Sequence, residues 1–269
     1  MVSKPLLKTG DRMKVDEKKC SVIILAAGKG KRMRSDIAKV LHRICGRPML
    51  SYSIDVARSI NAEKIVVVVG HQGRMIRDIF SCQELIYVEQ SEQLGTGHAV
   101  FQAKEVFSKY SGNIVILCAD VPLLKVTTVQ SLIEQHMSKK AFVTVLTTVM
   151  KNPAGYGRIV KNAKNGGVSK IVEDRDATSE EKAIKEINTG IYCVDSRFLF
   201  EAVSEISSDN AQKEYYLTDM IQIANRKGLK IISVTAPDSL EVMGINTPAE
   251  LKIASALRKK LQETCSNSK

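Results

Sequence analysis

The segment LAAGKGKRMRSD, residues 25–36, combines two glycines with four cationic side chains, a composition that suggests phosphate binding. It matches neither a P-loop nor a dinucleotide-binding loop, because Met33 occupies the position where both patterns need a glycine. Gly28 and Gly30 permit close approach of a ligand to the backbone. We therefore interpret the segment as a flexible cationic flap, although any single lysine here, or Lys39 just beyond, is more often a solvated surface side chain.

Two further segments carry residues suited to phosphate chemistry. In QSEQLGTGHA, residues 90–99, two glycines before a helix would expose backbone amides to an anion or a base edge; the alternative is a simple turn into the helix. Asp120 ends an apolar strand, which is a common position for a ligand of Mg²⁺. The alternative is a turn or helix-capping aspartate before Pro122.

Short apolar strands alternate with amphipathic helices through the first 140 residues, which predicts a Rossmann-like parallel sheet with right-handed crossovers. The predicted strands are 21–27, 64–70, 85–89 and 113–120, and the predicted helices are 48–59, 72–80, 97–110 and 126–138. Ligands of such sheets bind beyond the carboxyl ends of the strands. The opening segment, residues 90–99 and Asp120 all follow strands, so we expect them to converge at one edge.

The pattern changes after residue 140, where successive strands with Asn-Gly-type turns predict antiparallel hairpins added to one side of the sheet. A terminal helix is predicted to start near Thr247, with Pro248 in its first turn. The predicted divisions are a mobile basic extension (1–20), one domain (21–246) made of a first part (21–140) and a second part (141–246), and a C-terminal helix and tail (247–269).

Composition limits the classes of function. The 269 residues include 44% apolar residues and carry a net charge of +11, which fits anionic small substrates, nucleic acid or an anionic membrane surface. Aromatic residues make up 5% and tryptophan is absent, which argues against a base-stacking nucleic-acid surface. No apolar run reaches the roughly 18 residues of a membrane span, and the six cysteines form no Cys-x-x-Cys pair. With no secretory signal recognised, we expect a cytoplasmic protein without membrane or nucleic-acid partners.

Eight segments in order along residues 21–255 carry a resemblance: LAAGKGKRMRSDIAKVLHRICGRPML, EQSEQLGTGHAV, ADVPLL, GYGRIV, IVEDRDAT, EINTGIY, DNAQKEYYLTDMI and VMGINTPAEL. Together they resemble the sugar-phosphate nucleotidyltransferase family, and within it the uridylyltransferases that act on N-acetylglucosamine 1-phosphate. The first segment is typical of the whole family, whereas LGTGHA, EDRDAT and NAQKEYYLTD in series are more specific.

The resemblance implies the nucleotidyltransferase fold, an α/β fold with a mixed, mainly parallel sheet, helices on both faces and an added antiparallel sugar-binding subregion. It implies transfer of UMP from UTP to N-acetylglucosamine 1-phosphate, with pyrophosphate released. It implies Mg²⁺ on Asp120 and Asn246, and Arg32 and Lys39 as catalytic residues facing the phosphates. The implied nucleotide-binding residues are Leu25, Ala26, Ala27, Gly28, Gln90, Gln93, Gly95 and Thr96. The implied sugar-binding residues are Gly157, Glu173, Asn188, Tyr216 and Thr218.

The sequence leaves two alternatives to this function open. The chain could be a transferase of the same fold for another sugar 1-phosphate or nucleoside triphosphate, or a non-catalytic paralogue that binds a sugar nucleotide. It departs from the family at Lys31, where threonine is common, and at Ala38, where proline is common. It also has Cys118-Ala119 in place of Tyr-Gly, so Ala119 would add a methyl group close to the nucleotide. Because the sequence ends after one helix, we expect no β-helical acetyltransferase half and no assembly through it; the oligomeric state stays open.

Overall fold

The computed structural model describes residues 20–266, except residues 71, 83 and 164. The predicted basic extension lies outside the described residues, apart from Cys20, which begins the first strand. No helix among the described residues is both long enough and apolar enough to cross a membrane.

Strands and helices alternate from Met49 to Val149, whereas consecutive strands occur before and after that part of the chain. The strands β1–β11 are Cys20–Ala26, Arg43–Ile44, Arg47–Pro48, Ile65–Val69, Leu85–Glu89, Asn113–Cys118, Val143–Val149, Arg158–Lys161, Val168–Val172, Glu186–Asp195 and Ile231–Thr235. The helices α1–α8 are Met49–Ser59, Gly73–Ile79, Thr96–Phe101, Val126–Ser138, Ser179–Lys182, Ser196–Glu205, Met220–Arg226 and Pro248–Ser266.

One mixed sheet organises the molecule, with the strand order β11-β7-β10-β6-β1-β4-β5. The pairs β1–β4, β1–β6, β4–β5 and β7–β11 are parallel, and β10 runs antiparallel to both of its neighbours, β6 and β7. The hairpin of β8 and β9 branches from β10 where Ile187 lies opposite Arg158. The prediction of a mixed, mainly parallel sheet is confirmed. The carboxyl ends of β1, β4, β5 and β6 lie at one edge.

The strands after residue 140 are added to one side of the parallel part, beyond β6, as predicted, and β10 lies inside the whole sheet and not at its outer edge. Strands β7 and β11 continue the sheet beyond β10. The reason lies in the apolar run Ile191–Val194, whose four side chains are at most 1% exposed. A strand that is apolar on both faces is stable only where helices or loops cover both faces, which favours the middle of the sheet.

Helices cover both faces of the sheet, as predicted. Alternate residues of β1 point to opposite faces: Val22 and Ile24 belong to one apolar cluster and Ile23 to another. Residues of α1 and α4 complete the first cluster, and residues of α3, α6 and α7 complete the second. Fully burying each such aliphatic side chain contributes about 1.5–3 kcal/mol to folding.

The predicted helix over 97–110 is shorter in the structure. Helix α3 ends at Phe101, and a separate 3-10 turn follows at Glu105–Phe107. Bonds between residues three apart replace the α-helical ones here, as in Ala103 N to Val100 O at 3.0 Å. These tighter turns place the ring of Phe107 against that of Phe200, with centroids 5.8 Å apart. Core packing therefore overrides the helical periodicity.

The terminal helix α8 begins at Pro248, which confirms the predicted start near Thr247. The Glu250 carboxylate accepts hydrogen bonds from Asn246 N (2.6 Å) and Thr247 N (2.8 Å), and Thr247 Oγ1 accepts one from Glu250 N (3.2 Å). This reciprocal capping arrangement satisfies backbone donors that the first turn leaves unpaired. It also fixes the backbone at Asn246, directly before the helix.

Candidate active site

The loops that follow β1, β5 and β6 meet at one edge of the sheet and line a pocket of about 470 Å³. All eight residues assigned to the nucleotide lie in its wall, together with Lys39 and Asp120. The lining residues are Leu25, Ala26, Ala27, Gly28, Lys29, Lys31, Lys39, Val40, Gln90, Gln93, Gly95, Thr96, Ala99, Cys118, Asp120 and Glu214. The convergence expected from strand order is therefore present in the structure.

Asp120 and Asn246 come together around the ammonium group of Lys39. Lys39 Nζ forms an ion pair with the Asp120 carboxylate and donates to Asn246 Oδ1 at 3.0 Å. The side chains of Lys39 and Asp120 are only 13% and 21% exposed. A backbone hydrogen bond also joins the two segments that carry Asp120 and Asn246, since Ile245 N donates to Asp120 O at 2.9 Å. Three residues far apart in the chain thus form one charged cluster beside the pocket.

The side-chain oxygen atoms of this cluster are suitable ligands for a hard divalent cation. Asp120 and Asn246 offer carboxylate and amide oxygens, and the structure places a positive charge between them in the form of the Lys39 ammonium. The described residues contain no group of three or more His, Cys, Asp or Glu side chains arranged around a metal position. Mg²⁺ usually binds one or two protein carboxylates and keeps water molecules and substrate phosphates as its other ligands. Two protein oxygens are therefore enough for a Mg²⁺ site here.

The opening loop forms one 3-10 turn, Lys31–Met33, and not the start of a long helix. Gly30 precedes the turn with φ +59°, and a Cβ there would lie 2.6 Å from Lys39 Cβ. Glycine at this position therefore lets the loop pack directly on Lys39. Buried Met33 anchors the turn, Lys29 and Lys31 line the pocket, and Arg32 is exposed. Burial raises the pKa of the Tyr156 phenol, and the charge of Arg32 opposes that rise in small part.

The loop after β5 is held by backbone contacts to the segment before α7. Tyr215 N donates to Leu94 O and Gly97 N donates to Tyr215 O, both at 2.7 Å. Gly95 has φ +109°, and a Cβ there would lie 2.6 Å from Tyr215 O. Thr96 Oγ1 accepts from Leu217 N at 3.1 Å. The tight turn therefore depends on glycine, and it connects the first part of the chain to the second.

Three of the residues assigned to the sugar form a compact group. Asn188 N donates to Gly157 O at 2.8 Å, and a Cβ on Gly157 would lie 3.5 Å from both Asn188 Cβ and Glu173 Oε2. Burial raises the pKa of the Glu173 carboxyl, which the hydrogen bond from Thr218 Oγ1 (3.0 Å) opposes. Tyr156, next to Gly157, lies near Gly244 and Asp120, and a Cβ on Gly244 would lie 3.9 Å from Asp120 Oδ2, so this group lies beside the charged cluster.

Tyr216 and Thr218, the other two residues assigned to the sugar, lie close to Glu173. Tyr216 OH donates to Asp176 Oδ2 at 3.1 Å, and burial raises the pKa of Tyr216 to about 12. Asp176 Oδ1 also accepts from Ala211 N at 2.8 Å, which ties the residues after β9 to the loop before α7. A second pocket of about 360 Å³, with Glu173, Asp176 and Tyr216 in its wall, opens here.

Cys118 and Ala119, where the chain departs from the pattern of the family that it resembles, have different surroundings. Cys118 lines the pocket and its thiol donates to Gly190 O at 3.5 Å; burial raises its pKa to about 12, so it stays protonated near neutral pH. Ala119 is fully buried within the apolar cluster that contains Val22. The additional methyl group of Ala119 therefore packs into the core, and the pocket-facing departure is Cys118.

Sequence reasoning left several residues of this region without a role. Lys29 and Lys31 line the pocket, Tyr156 lies beside the charged cluster, and Asp176 ties two loops. Glycine at position 70 is also needed for the packing of β4 against the opening loop, because a Cβ there would lie 2.7 Å from Ala27 O. The position of Gly70 directly after an apolar strand could have indicated from the sequence that it belongs to this region. The partners of Asp176, in contrast, are not recognisable from spacing alone.

Comparison with known proteins identifies related chains. The family model for the MobA-like NTP transferase domain matches residues 22–183. The bifunctional protein GlmU of Geotalea daltonii is 48% identical over 234 residues, 87% of this chain and 51% of that protein. GlmU of Geobacter metallireducens is 47% identical over 232 residues, 86% of this chain and 48% of that protein. The chain spans about half the length of these curated relatives.

The architecture also matches solved structures. A UDP-glucose pyrophosphorylase complexed with UDP-glucose superposes with a TM-score of 0.70 at 17% identity, over 90% of this chain and 98% of that one. At this identity the likeness establishes the fold alone.

Proposed function

Because the chain belongs to the MobA-like NTP transferase family, we propose that it transfers UMP from UTP to N-acetylglucosamine 1-phosphate, which gives UDP-N-acetylglucosamine and pyrophosphate. The proposal rests most on the Asp120–Lys39–Asn246 cluster, which lies between a pocket suited to a nucleotide and the Gly157–Glu173–Asn188 group. The motif series and the 47–48% identity to the GlmU proteins support this choice of substrates.

The nucleotide is expected in the pocket beyond β1 and β5. The backbone of residues 25–28 would lie along it, and no atom lies within 4 Å of a Cβ added to Gly28, which leaves room for a close ligand. Gln90 and Gln93 offer carboxamides for the base edge, and Gly95 and Thr96 complete that wall. The sugar would then contact Glu173, Asn188 and Thr218, whose polar groups match sugar hydroxyl and amide groups.

The reaction is an in-line attack by a phosphate oxygen of the sugar phosphate on the α-phosphorus, which breaks the bond to pyrophosphate. Both reactants are anions, so the protein must position them and offset their charge. Mg²⁺ held by Asp120 and Asn246 would supply a Lewis acid for the phosphate oxygens. Lys39 and Arg32 are assigned to the negative charge that grows on the departing pyrophosphate. A phosphate oxygen is already ionised at neutral pH, so the reaction needs no general base from the chain.

A substrate matrix tests the proposal. Purified protein is assayed for pyrophosphate release with Mg²⁺, crossing UTP, CTP, ATP, GTP and dTTP with N-acetylglucosamine 1-phosphate and glucose 1-phosphate. We expect UTP with N-acetylglucosamine 1-phosphate to give the highest kcat/KM. A higher value for another pair would assign the chain to a different transferase of the same fold. No release above background with any pair would favour a non-catalytic sugar-nucleotide-binding protein.

Removal of either charged partner should abolish most of the activity. Asp120→Ala and Lys39→Ala should each lower kcat by at least about 10²-fold if they stabilise the transition state by several kcal/mol. Lys259→Ala, an exposed lysine on α8, is the matched control and should keep normal activity. Thermal unfolding of each variant separates loss of chemistry from loss of fold. A near-normal rate in a folded Asp120→Ala or Lys39→Ala variant would refute the role of that residue.

A further inference from the structure

Gln90 is a buried residue at the carboxyl end of β5, with only 3% of its surface exposed. Its backbone is fixed on both sides: Gln90 N donates to Val69 O at 2.8 Å, and Gln90 O accepts from Gln93 Nε2 at 3.1 Å. With the backbone fixed and the side chain buried, the open choice is which end of the carboxamide is left for a ligand in the pocket. That choice decides whether the nucleotide base meets a donor or an acceptor.

Two neighbours determine the orientation of the Gln90 carboxamide. Gly95 O, which can only accept, lies 3.0 Å from Gln90 Nε2. His98 Nδ1 lies 3.1 Å from the same nitrogen. The two amide hydrogens of Gln90 therefore go to Gly95 O and to His98 Nδ1, and His98 Nδ1 must be the unprotonated ring nitrogen.

Gln102 holds the tautomer of His98 that this arrangement requires. With Nδ1 accepting, the ring proton of neutral His98 is on Nε2. The Gln102 carboxamide lies 2.9 Å from His98 Nε2, measured to its nitrogen. Two donors cannot bond to each other, so one of the two carboxamides must be flipped. Flipping Gln102 gives up only the 3.3 Å bond from its nitrogen to His98 O, whereas flipping Gln90 would give up the shorter 3.0 Å bond to Gly95 O, so we assign Gln102 with its oxygen toward His98 Nε2. The chain of hydrogen bonds then runs from His98 Nε2–H to Gln102 and from Gln90 to His98 Nδ1.

Gln90 lines the pocket, and Oε1 is the atom of its carboxamide that is left for a ligand. Among the described residues no donor bonds to it, and it is not one of the fully buried polar atoms that lack a partner. A pyrimidine at this wall therefore meets an acceptor. Uracil and thymine carry an N3–H donor on that edge, whereas N3 of cytosine is itself an acceptor and would face Gln90 Oε1 with no hydrogen between them.

We propose that His98, held by Gln102, is a positioning residue for base selection: it fixes the Gln90 carboxamide with its acceptor toward the base, so that a pyrimidine with N3–H is favoured over cytosine. This inference rests on the proposed function, because it assumes a nucleotide base in the pocket. It would give the proposed nucleotide preference a physical cause.

Two variants of similar size separate positioning from packing. His98→Asn keeps an oxygen where His98 Nδ1 lies, and His98→Leu has the same branching without any acceptor. The dissociation constants of UTP and CTP are measured by calorimetry, and kcat/KM is measured for both with one sugar phosphate. We expect His98→Leu to lower the preference for UTP over CTP by about tenfold, since the amide of Gln90 is then free to flip. His98→Asn should recover most of it, and KM for the sugar phosphate should not change.

The outcomes distinguish this inference from the proposed function. A folded His98→Leu protein whose UTP-to-CTP ratio stays within about twofold of the wild-type ratio would overturn the role of His98. Equal loss of the ratio in His98→Asn and His98→Leu would assign the effect to packing, and would also overturn it. If the wild-type protein fails to turn over any sugar phosphate, the binding ratio still tests the orientation of Gln90.

Discussion

The proposed nucleotide side and the proposed sugar side of the candidate site are built by different means. On the nucleotide side, backbone hydrogen bonds between Leu94, Gly97 and Tyr215 and the close approach at Gly95 hold the loop. On the sugar side, side-chain carboxylates do so: Asp176 bonds to Tyr216 and to Ala211 N, and Glu173 accepts from Thr218. The first side should be intolerant of an added Cβ and nearly insensitive to pH. The second should tolerate small changes of shape but respond to loss or protonation of a carboxylate.

Among the substitutions that test this difference between the two sides, Gly95→Ala should have the largest effect on activity. The new Cβ would lie 2.6 Å from Tyr215 O and 2.8 Å from Tyr215 N, at a φ of +109° that alanine rarely adopts. The loop must move, and a shift of about 1 Å costs on the order of 10²-fold in rate, here through a raised KM for UTP. Steady-state kinetics with each substrate varied in turn measures the effect.

Gly228→Ala is the matched control for Gly95→Ala. Gly228 also has a positive φ, +66°, but nothing lies within 4 Å of an added Cβ. This variant should lose about 1 kcal/mol of stability without a change in KM for UTP. If Gly95→Ala behaves in the same way, the close approach to Tyr215 does not hold the nucleotide loop.

A smaller effect is expected from Asp176→Ala on the sugar side. Its loss frees Tyr216 OH and Ala211 N, so the loop before α7 is less well placed. We expect KM for the sugar phosphate to rise about fivefold to tenfold, the cost of one or two hydrogen bonds, while KM for UTP stays within about twofold. Asp176→Asn keeps an acceptor for Ala211 N and should recover part of the loss.

Asp209→Ala is the control for Asp176→Ala, since Asp209 forms an exposed ion pair with Lys213 that should contribute little. An equal rise of both KM values in Asp176→Ala would contradict the separation of the two sides.

The smallest expected effect is a pH dependence carried by Glu173. Burial raises the pKa of this carboxyl above its ordinary value of 4.5, so the folded protein keeps a proton that the unfolded chain releases. The free energy of unfolding should therefore fall as pH rises from the ordinary pKa through the raised one. Glu173→Gln removes this contribution, and urea unfolding between about pH 4 and 7 should show a less negative slope with pH than in the wild-type protein.

Glu134→Gln, on an exposed position of α4, serves as the control for Glu173→Gln and should leave the slope unchanged. Identical slopes for the wild-type protein and Glu173→Gln would show that Glu173 does not couple folding to protons.

Much of the framework could be predicted from local patterns. Strand β4 is a run of four valines after isoleucine, and only burial on both faces explains such a run. The start of α8 was predictable because Pro248 fixes a helical φ and Thr247 with Glu250 forms a capping pair. Convergence of the loops at one edge followed from parallel strands, whose carboxyl ends lie together.

The sequence alone was enough to specify the alternation of buried strands and helices and the edge of the sheet at which the candidate site lies, because both depend on periodicities of a few residues. Local spacing could not specify which long-range partners meet, and only the family resemblance grouped Asp120 with Asn246. Lys39 contacts residues 81 and 207 positions away, Asp120 and Asn246, and β10 enters the sheet between β6 and β7. The orientation of Gln90 likewise depends on which atoms of Gly95 and His98 surround it. Such contacts arise from strand order and three-dimensional packing, which place distant side chains together and leave no trace in local spacing.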